Sequence, residues 1–323
     1  MPSILEQVDL RDPTAVIAAL EAGAHACRTT PNRRGCTEWV EVDASRAATP
    51  AATLIATGDL HDNPLHLARI ARAAGLLPEH PTSDIPLPTS VSHLTLHELI
   101  HGDRLINGLD YSYRVLVRAA VMKAAYPERI HILLANHEIA QLAGIAVAKE
   151  GVRCNEAFDD GVHAAFASHG GSAEQVLQAV NTFLAALPLA VRFHCDAIEG
   201  DILCAHSLPA PEMMDRGDGN DGFDLTALDR DLTPEDFTSR TGAARAMTWG
   251  RAHTPEHIER LAKAWNVRLF ILGHEKADEG CTVISPRAVV LNSDHDRGVY
   301  SRLDLTQAAS ANDVAEACIP LSE

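Results

Sequence analysis

Ligand-type side chains stand where apolar runs of this chain stop. The runs Thr53 to Asp59, His97 to Asp103, Ile130 to Asn136, Asp201 to His206 and Arg268 to His274 each close on Asp, Asn or His. Apolar runs of this length read as buried strands. In open α/β sheets the carboxyl ends of strands converge on one crevice, so Asp59 with His61, Asp103, Asn136 with His137, His206 and His274 are expected to meet there. Carboxylate, amide oxygen and imidazole together suit divalent ions such as Mn²⁺, Fe²⁺ or Zn²⁺, and none of the five run ends offers a cysteine. The chemistry such a set serves is metal-assisted.

The elements that must position these residues alternate between strand and helix. Asp62-Asn63-Pro64 opens a helix closing near Gly75, and Thr254-Pro255-Glu256 opens one reaching Trp265, each with a capping residue before proline. An apolar face on Val115, Leu116, Val117, Ala120, Val121 and Ala124 marks a helix after Asp110 that ends before Tyr126-Pro127. A further helix spans about Ser172 to Leu187. Ala288 to Asn292 and Val299 to Leu305 read as two adjacent strands, which predicts a sheet that is not purely parallel. The expected fold class is α/β.

Residues 1–45 hold one predicted helix, Pro13 to Ala26, and a short strand, Trp39 to Val42; they are expected to form an N-terminal extension. Residues 46–310 form the expected catalytic domain and 311–323 a C-terminal tail. Asp215 to Gly222 is polar and glycine-rich but lacks the spaced ligands of a calcium loop, so a surface loop is expected there.

At 323 residues and 46% hydrophobic content, the chain can bury a full core without disulfides. Its seven cysteines are scattered, as in a reduced compartment, and Cys27 and Cys36 read as ordinary thiols. A formal net charge of -17 argues against general binding to nucleic acid or anionic membranes. A phosphorylated substrate would need locally bound cations. No run of eighteen apolar residues and no basic, apolar leader occurs, so the expected location is cytoplasmic.

The five run ends in order, Gly58-Asp59-Leu60-His61, Gly102-Asp103, Ala135-Asn136-His137-Glu138, Ala205-His206 and Gly273-His274, resemble the blocks of calcineurin-like metallophosphoesterases. The phosphoprotein phosphatase branch is the more similar, with blocks GDxH, GD, GNHE, H and (G/A)H. The resemblance covers roughly residues 50 to 305 and implies a central β-sandwich of mixed sheets flanked by helices. It further implies two divalent metal ions, manganese foremost with iron or zinc as alternatives. Asp59 and His61 would hold the first, Asp103 would bridge, Asn136, His206 and His274 would complete the second, and His137 would be the general acid. Two cations about 3.5–4 Å apart acidify a shared water, align it with phosphorus and neutralise phosphoryl oxygens. A carboxylate must bridge such a pair, and Asp103 is the natural candidate.

The chain departs from that family at GDxVDRG, which here reads Gly102-Asp103-Arg104-Leu105-Ile106-Asn107-Gly108. Ile106 stands in place of the aspartate that pairs with the general acid, and Asn107 in place of the arginine that clamps phosphate. Losing that carboxylate should lower the pKa of His137 or change its partner, and losing that guanidinium should weaken monoester binding. Arg104 and Arg251 are the candidate replacement cations. Beside a phosphatase stand two alternatives: a nucleotide or dinucleoside-polyphosphate hydrolase, and a metal-binding pseudo-phosphatase. His93, His97, His131 and His194 are expected to be structural, and His101 is left open.

Overall fold

A computed structural model describes residues 3–77, 91–149, 151–169, 171–214 and 222–322. The glycine-rich stretch from Asp215 to Asp221 lies outside them. In chain order the strands are β1 Arg33–Arg34, β2 Thr37–Glu41, β3 Thr53–Thr57, β4 His93–His97, β5 Ile130–Leu133, β6 Ala148–Lys149 and β7 Val152–Arg153. They continue with β8 Ala190–His194, β9 Asp201–Ala205, β10 Val267–Leu272, β11 Cys281–Ser285, β12 Ala288–Leu291, β13 Val299–Asp304 and β14 Cys318–Pro320.

One sheet has the order β1-β2-β8-β9-β10-β12-β11, the other β14-β13-β3-β4-β5, and β6 and β7 form a separate hairpin. Both large sheets are mixed: β9, β10 and β12 run parallel, as do β3, β4 and β5, while β13 is antiparallel to β3. Alternate residues face opposite sides of a strand. Leu54 and Ala56 of β3, Ile202 and Cys204 of β9, and Leu269 and Ile271 of β10 join one apolar cluster between the sheets. Ile55, Leu203, Phe270 and Leu272 face the other way, into a larger cluster with the helices. The result is a β-sandwich clad in helices, as expected.

The helices that matter below are α1 Pro13–Thr29, α2 Pro64–Ala73, α3 Tyr113–Ala125, α4 Asn136–Ala143, α5 Cys154–Phe166 and α6 Ser172–Leu184. The side chain of Asn63 caps α2 by accepting from the backbone N–H of His66, and Thr254 caps the helix Pro255–Trp265 in the same manner. Among the described residues, no helix is long and apolar enough to cross a membrane.

Three features differ from the expectations. The second site strand is His93–His97, ending where His97 to Asp103 was expected to begin. Its polar His93, Thr95 and His97 mask it in the sequence, yet all are buried and bonded: His93 Nδ1 lies 3.0 Å from His131 Nε2, Thr57 Oγ1 donates to Thr95 O at 2.7 Å, and His97 Nε2 lies 2.8 Å from Thr57 O. Second, β12 and β13 are not neighbours; the connector between them crosses from one sheet to the other. Third, the expected extension and tail are woven into the body: α1 packs on α3 and α6, β2 pairs in parallel with β8, and β14 pairs with β13. Cys27 and Cys36 are buried free thiols.

Candidate metal centre

The site forms where the end of β3 meets the ends of β12 and β10 across the sandwich, and two glycines permit that approach. A Cβ on Gly58 would lie 1.8 Å from Leu291 O, and one on Gly273 would lie 2.3 Å from Asp59 Oδ1. Asp59 makes backbone bridges to both His97 and Asn292, which places it at the seam between the sheets. The next turn returns on β4, with His61 N–H donating to Glu98 O at 2.8 Å. Asn136 and His137 open α4 directly after β5, and His206 and His274 follow β9 and β10. His61, Glu98, His101 and His274 all have positive φ, between 41° and 67°. For non-glycine residues such backbone costs about 1–3 kcal/mol each and persists where surrounding structure enforces it.

The side chains converge on Glu98. Its Oε2 lies 3.5 Å from His61 Nε2 and 3.7 Å from His206 Nε2, and its Oε1 lies 3.5 Å from His137 Nε2. Asp59 Oδ1 is 3.4 Å from His206 Nδ1 and 3.7 Å from His97 Nδ1. His206 Nε2 sits 2.7 Å from Asn136 Oδ1. The backbone N–H of His274 donates to both oxygens of Asp59, at 2.9 and 3.1 Å. All of these side chains are buried. Two groups of ligand atoms, Asp59-His97-His206 and Asp59-His61-Glu98, each lie within 4.8 Å of one another.

The electrostatics of this cluster are those of a cation site. Ligand oxygens of Glu98 and Asp59 lie within 4.8 Å of each other, and burial first, then the Asp59 charge, raises the Glu98 pKa well above the usual range. Burial also pushes down His61 and His206, and His274 to about 3, so the imidazoles are neutral lone-pair donors. His274 Nε2 is buried with no hydrogen-bond partner. A buried acceptor without a donor costs about 1–3 kcal/mol. Oxygen and nitrogen acceptors facing one another in the interior fit divalent cations, which favour the ionised form of the Glu98 carboxyl.

Of the residues expected from sequence, Asp59, His61, Asn136, His137, His206 and His274 gather here, and Asp103 does not. Its side chain is 67% exposed, with Lys149 Nζ 3.7 Å from its Oδ1. Because β4 ends at His97, the first carboxylate after it is Glu98, five residues before Asp103, and it takes the central place expected of Asp103. Ile106 is 52% exposed, and the residue facing His137 is His101 instead, with Nδ1 atoms 3.0 Å apart. His101 lies three residues after Glu98, the same offset as Ile106 from Asp103. His97, expected to be structural, has its ring held by Thr57 O and lies against His206, within a group of atoms that could hold a metal ion. The signal for Glu98 and His97 was present as a His-Glu pair closing an alternating stretch of Leu and polar residues.

Cations ring the cluster. Lys149 Nζ lies 3.1 Å from His61 Nε2 and donates to His101 O at 3.2 Å. Arg251 donates to His274 O at 3.2 Å. Arg104 donates to His61 O at 2.9 Å and pairs with Asp294 at 2.6 Å, so its charge is already matched. Lys149 was not anticipated; a lone lysine on a two-residue strand carries no sequence signal.

No protein-family model matches the chain, and no curated protein matches it. Among solved structures, a protein serine/threonine phosphatase from Saccharomyces cerevisiae with similarity to human phosphatase PP5 aligns over 97% of this chain and 94% of its own, at 14% identity and a TM-score of 0.63. A cold-active protein-tyrosine phosphatase of a psychrophilic Shewanella species aligns over 89% of this chain and 84% of its own, at 12% identity and a TM-score of 0.54. At such identities the likeness is one of fold: the chain adopts the mixed α/β architecture of these phosphatases.

Proposed function

We propose that this chain is a metal-dependent phosphoester hydrolase with a dinuclear centre. The observation that carries the reading is the buried Asp59-Glu98 carboxyl pair, its ligand oxygens within 4.8 Å of each other and ringed by the imidazoles of His61 and His206. Asp59 and His61 would hold one ion and Asn136, His206 and His274 the other, with the Glu98 carboxylate between them to offset their charge. Divalent ions held there supply an acidified water and neutralise phosphoryl charge. His97 orients His206 from behind, its own ring held by Thr57 O. The wall of buried residues excludes bulk water, which strengthens every charge interaction inside.

Lys149 is the cation best placed to meet a phosphoryl oxygen, since its ammonium already reaches the ring of His61. Lys149→Met is expected to lower kcat/KM for a phosphomonoester about 10-fold to 100-fold, the value of a charge-assisted hydrogen bond of about 1.5–3 kcal/mol. Metal content measured on the same preparation should not change; equal activity in the variant would remove Lys149 from the site.

His137 is the proton-handling residue, and its tautomer follows from its neighbours. Gln141 Nε2 donates to Asp159 Oδ1 at 2.8 Å, so Gln141 Oε1 accepts from His101 Nε2 at 3.0 Å. His101 Nδ1 then accepts the Nδ1 proton of His137, and His137 Nε2 turns a lone pair toward Glu98. In this arrangement His137 takes a proton; donating one to a leaving group requires the proton on Nε2.

The reading is tested by loading the protein with manganese and measuring hydrolysis of p-nitrophenyl phosphate, with a chelator abolishing turnover and added metal restoring it. Absence of turnover with manganese, iron and zinc alike overturns it. Running dinucleoside polyphosphates beside the monoester separates a phosphatase from a nucleotide hydrolase.

A further inference from the structure

Behind His137, away from Glu98, lies a second kind of donor set. His101, His137 and Cys154 are all buried, and one ligand atom from each lies within 4.8 Å of the other two. The residues come from three separate elements: the loop after β4, the first turn of α4 and the first residue of α5. We infer that His101, His137 and Cys154 form a third metal site, distinct from the carboxylate centre and selective for a thiolate-binding divalent ion of the zinc class. The inference goes beyond the hydrolase reading and shares with it only His137 and the His101 ring that faces it.

Four observations carry it. The two Nδ1 atoms are 3.0 Å apart, close to the edge of a tetrahedron with metal–nitrogen bonds of about 2.0–2.1 Å. His101 already has the outer support of a ligand, donating Nε2–H to Gln141, which is held in turn by Asp159; metal-bound histidines nearly always have such a partner. The Cys154 thiol makes only a weak contact, 3.9 Å to Val152 O. A cavity of about 70 Å³ adjoins the cluster, lined by His101, Cys154 and Asp110 among others. Asp110 Oδ2 is buried there without a partner, leaving room and a carboxylate for the fourth position. Asp103 lines the same cavity and offsets the charge of Lys149.

Sulfur separates this site from its neighbour. The carboxylate centre offers oxygen and nitrogen, which admit manganese, whereas a His₂Cys set favours softer ions. On binding, the Cys154 thiol releases its proton to solvent. An ion on Nδ1 of His137 displaces the proton there, and the neutral ring then carries its proton on Nε2, toward Glu98. That is the donor form a general acid needs, so the third ion does for His137 what a carboxylate partner does elsewhere.

The test is titration of metal-free protein with cobalt(II), followed by absorption spectroscopy and metal analysis. A thiolate-to-cobalt charge-transfer band is expected, with three equivalents bound per chain. Cys154→Ala and the near-isosteric Cys154→Ser should each lose the band and one equivalent while keeping the ligand-field bands of the other two ions. No thiolate band in the wild type, or a band that survives in both variants, overturns the proposal. Failure of the carboxylate centre alone reads differently: one equivalent with the thiolate band intact.

Discussion

Glu98→Gln is expected to lower kcat/KM for p-nitrophenyl phosphate by on the order of 10²–10³-fold, the usual cost of removing one preorganised electrostatic group from an active site. Asp103→Asn is expected to change it less than about threefold, because exposed substitutions seldom exceed about 0.5 kcal/mol. The contrast follows from geometry. Glu98 lies 3.5 Å from His61 and 3.7 Å from His206, residues assigned to different ions, whereas the Asp103 side chain is 67% exposed. Glutamine keeps the shape of Glu98 and removes the charge that offsets the repulsion between two cations. Metal analysis should show fewer ions per chain in Glu98→Gln and an unchanged count in Asp103→Asn. Should Asp103→Asn prove the more damaging, the bridge would be Asp103.

The second large effect concerns stability. Glu38→Gln should destabilise the fold by about 3–5 kcal/mol, the cost of breaking a buried ion pair from one side. Lys123 Nζ donates to Glu38 Oε1 at 2.6 Å with both side chains 0% exposed. His131 binds the other oxygen. The pair ties β2 to α3 and β5, so the variant leaves an ammonium buried between three elements. Replacing both partners, as in Glu38→Leu with Lys123→Met, should recover most of the loss, since desolvation of the pair offsets much of its attraction. Urea midpoints of the three proteins decide the matter; a single variant as stable as the wild type would sink it.

The same pair gives a pH dependence with a definite sign. Burial acts to raise Glu38, but Lys123 and then His131 outweigh it and hold its pKa at about 2, against an ordinary value of 4.5. A lowered carboxyl stabilises the fold fully above its unfolded pKa, and the contribution is lost as pH falls through the folded value. The wild type should therefore lose this contribution between about pH 4.5 and pH 2, and Glu38→Gln, lacking the carboxyl, should show a flatter profile there.

Much of the site was legible in one dimension. Asp59, His61, Asn136, His206 and His274 follow buried strands whose apolar runs are plain in the sequence, and Asn63 and Thr254 cap helices where capping residues precede proline. Such signals are local: periodicity, caps and strand ends lie within a few residues of each other. Glu98 was hidden because β4 alternates leucine with His93, Thr95 and His97, whose burial depends on partners from β3 and β5. With β4 ending at His97, Glu98 rather than Asp103 lies among the site histidines, and His101 rather than Ile106 faces His137.

The pairing of β2 with β8, which makes residues 1–45 part of the body, joins segments some 150 residues apart, and no local pattern encodes it. The sequence by itself determined the kind of site, a set of oxygen and nitrogen donor groups at the ends of α/β strands. Only the tertiary structure decided which carboxylate stands at its centre and that a thiol lies behind His137, because those depend on which groups the packing of distant strands and helices brings within a few ångströms.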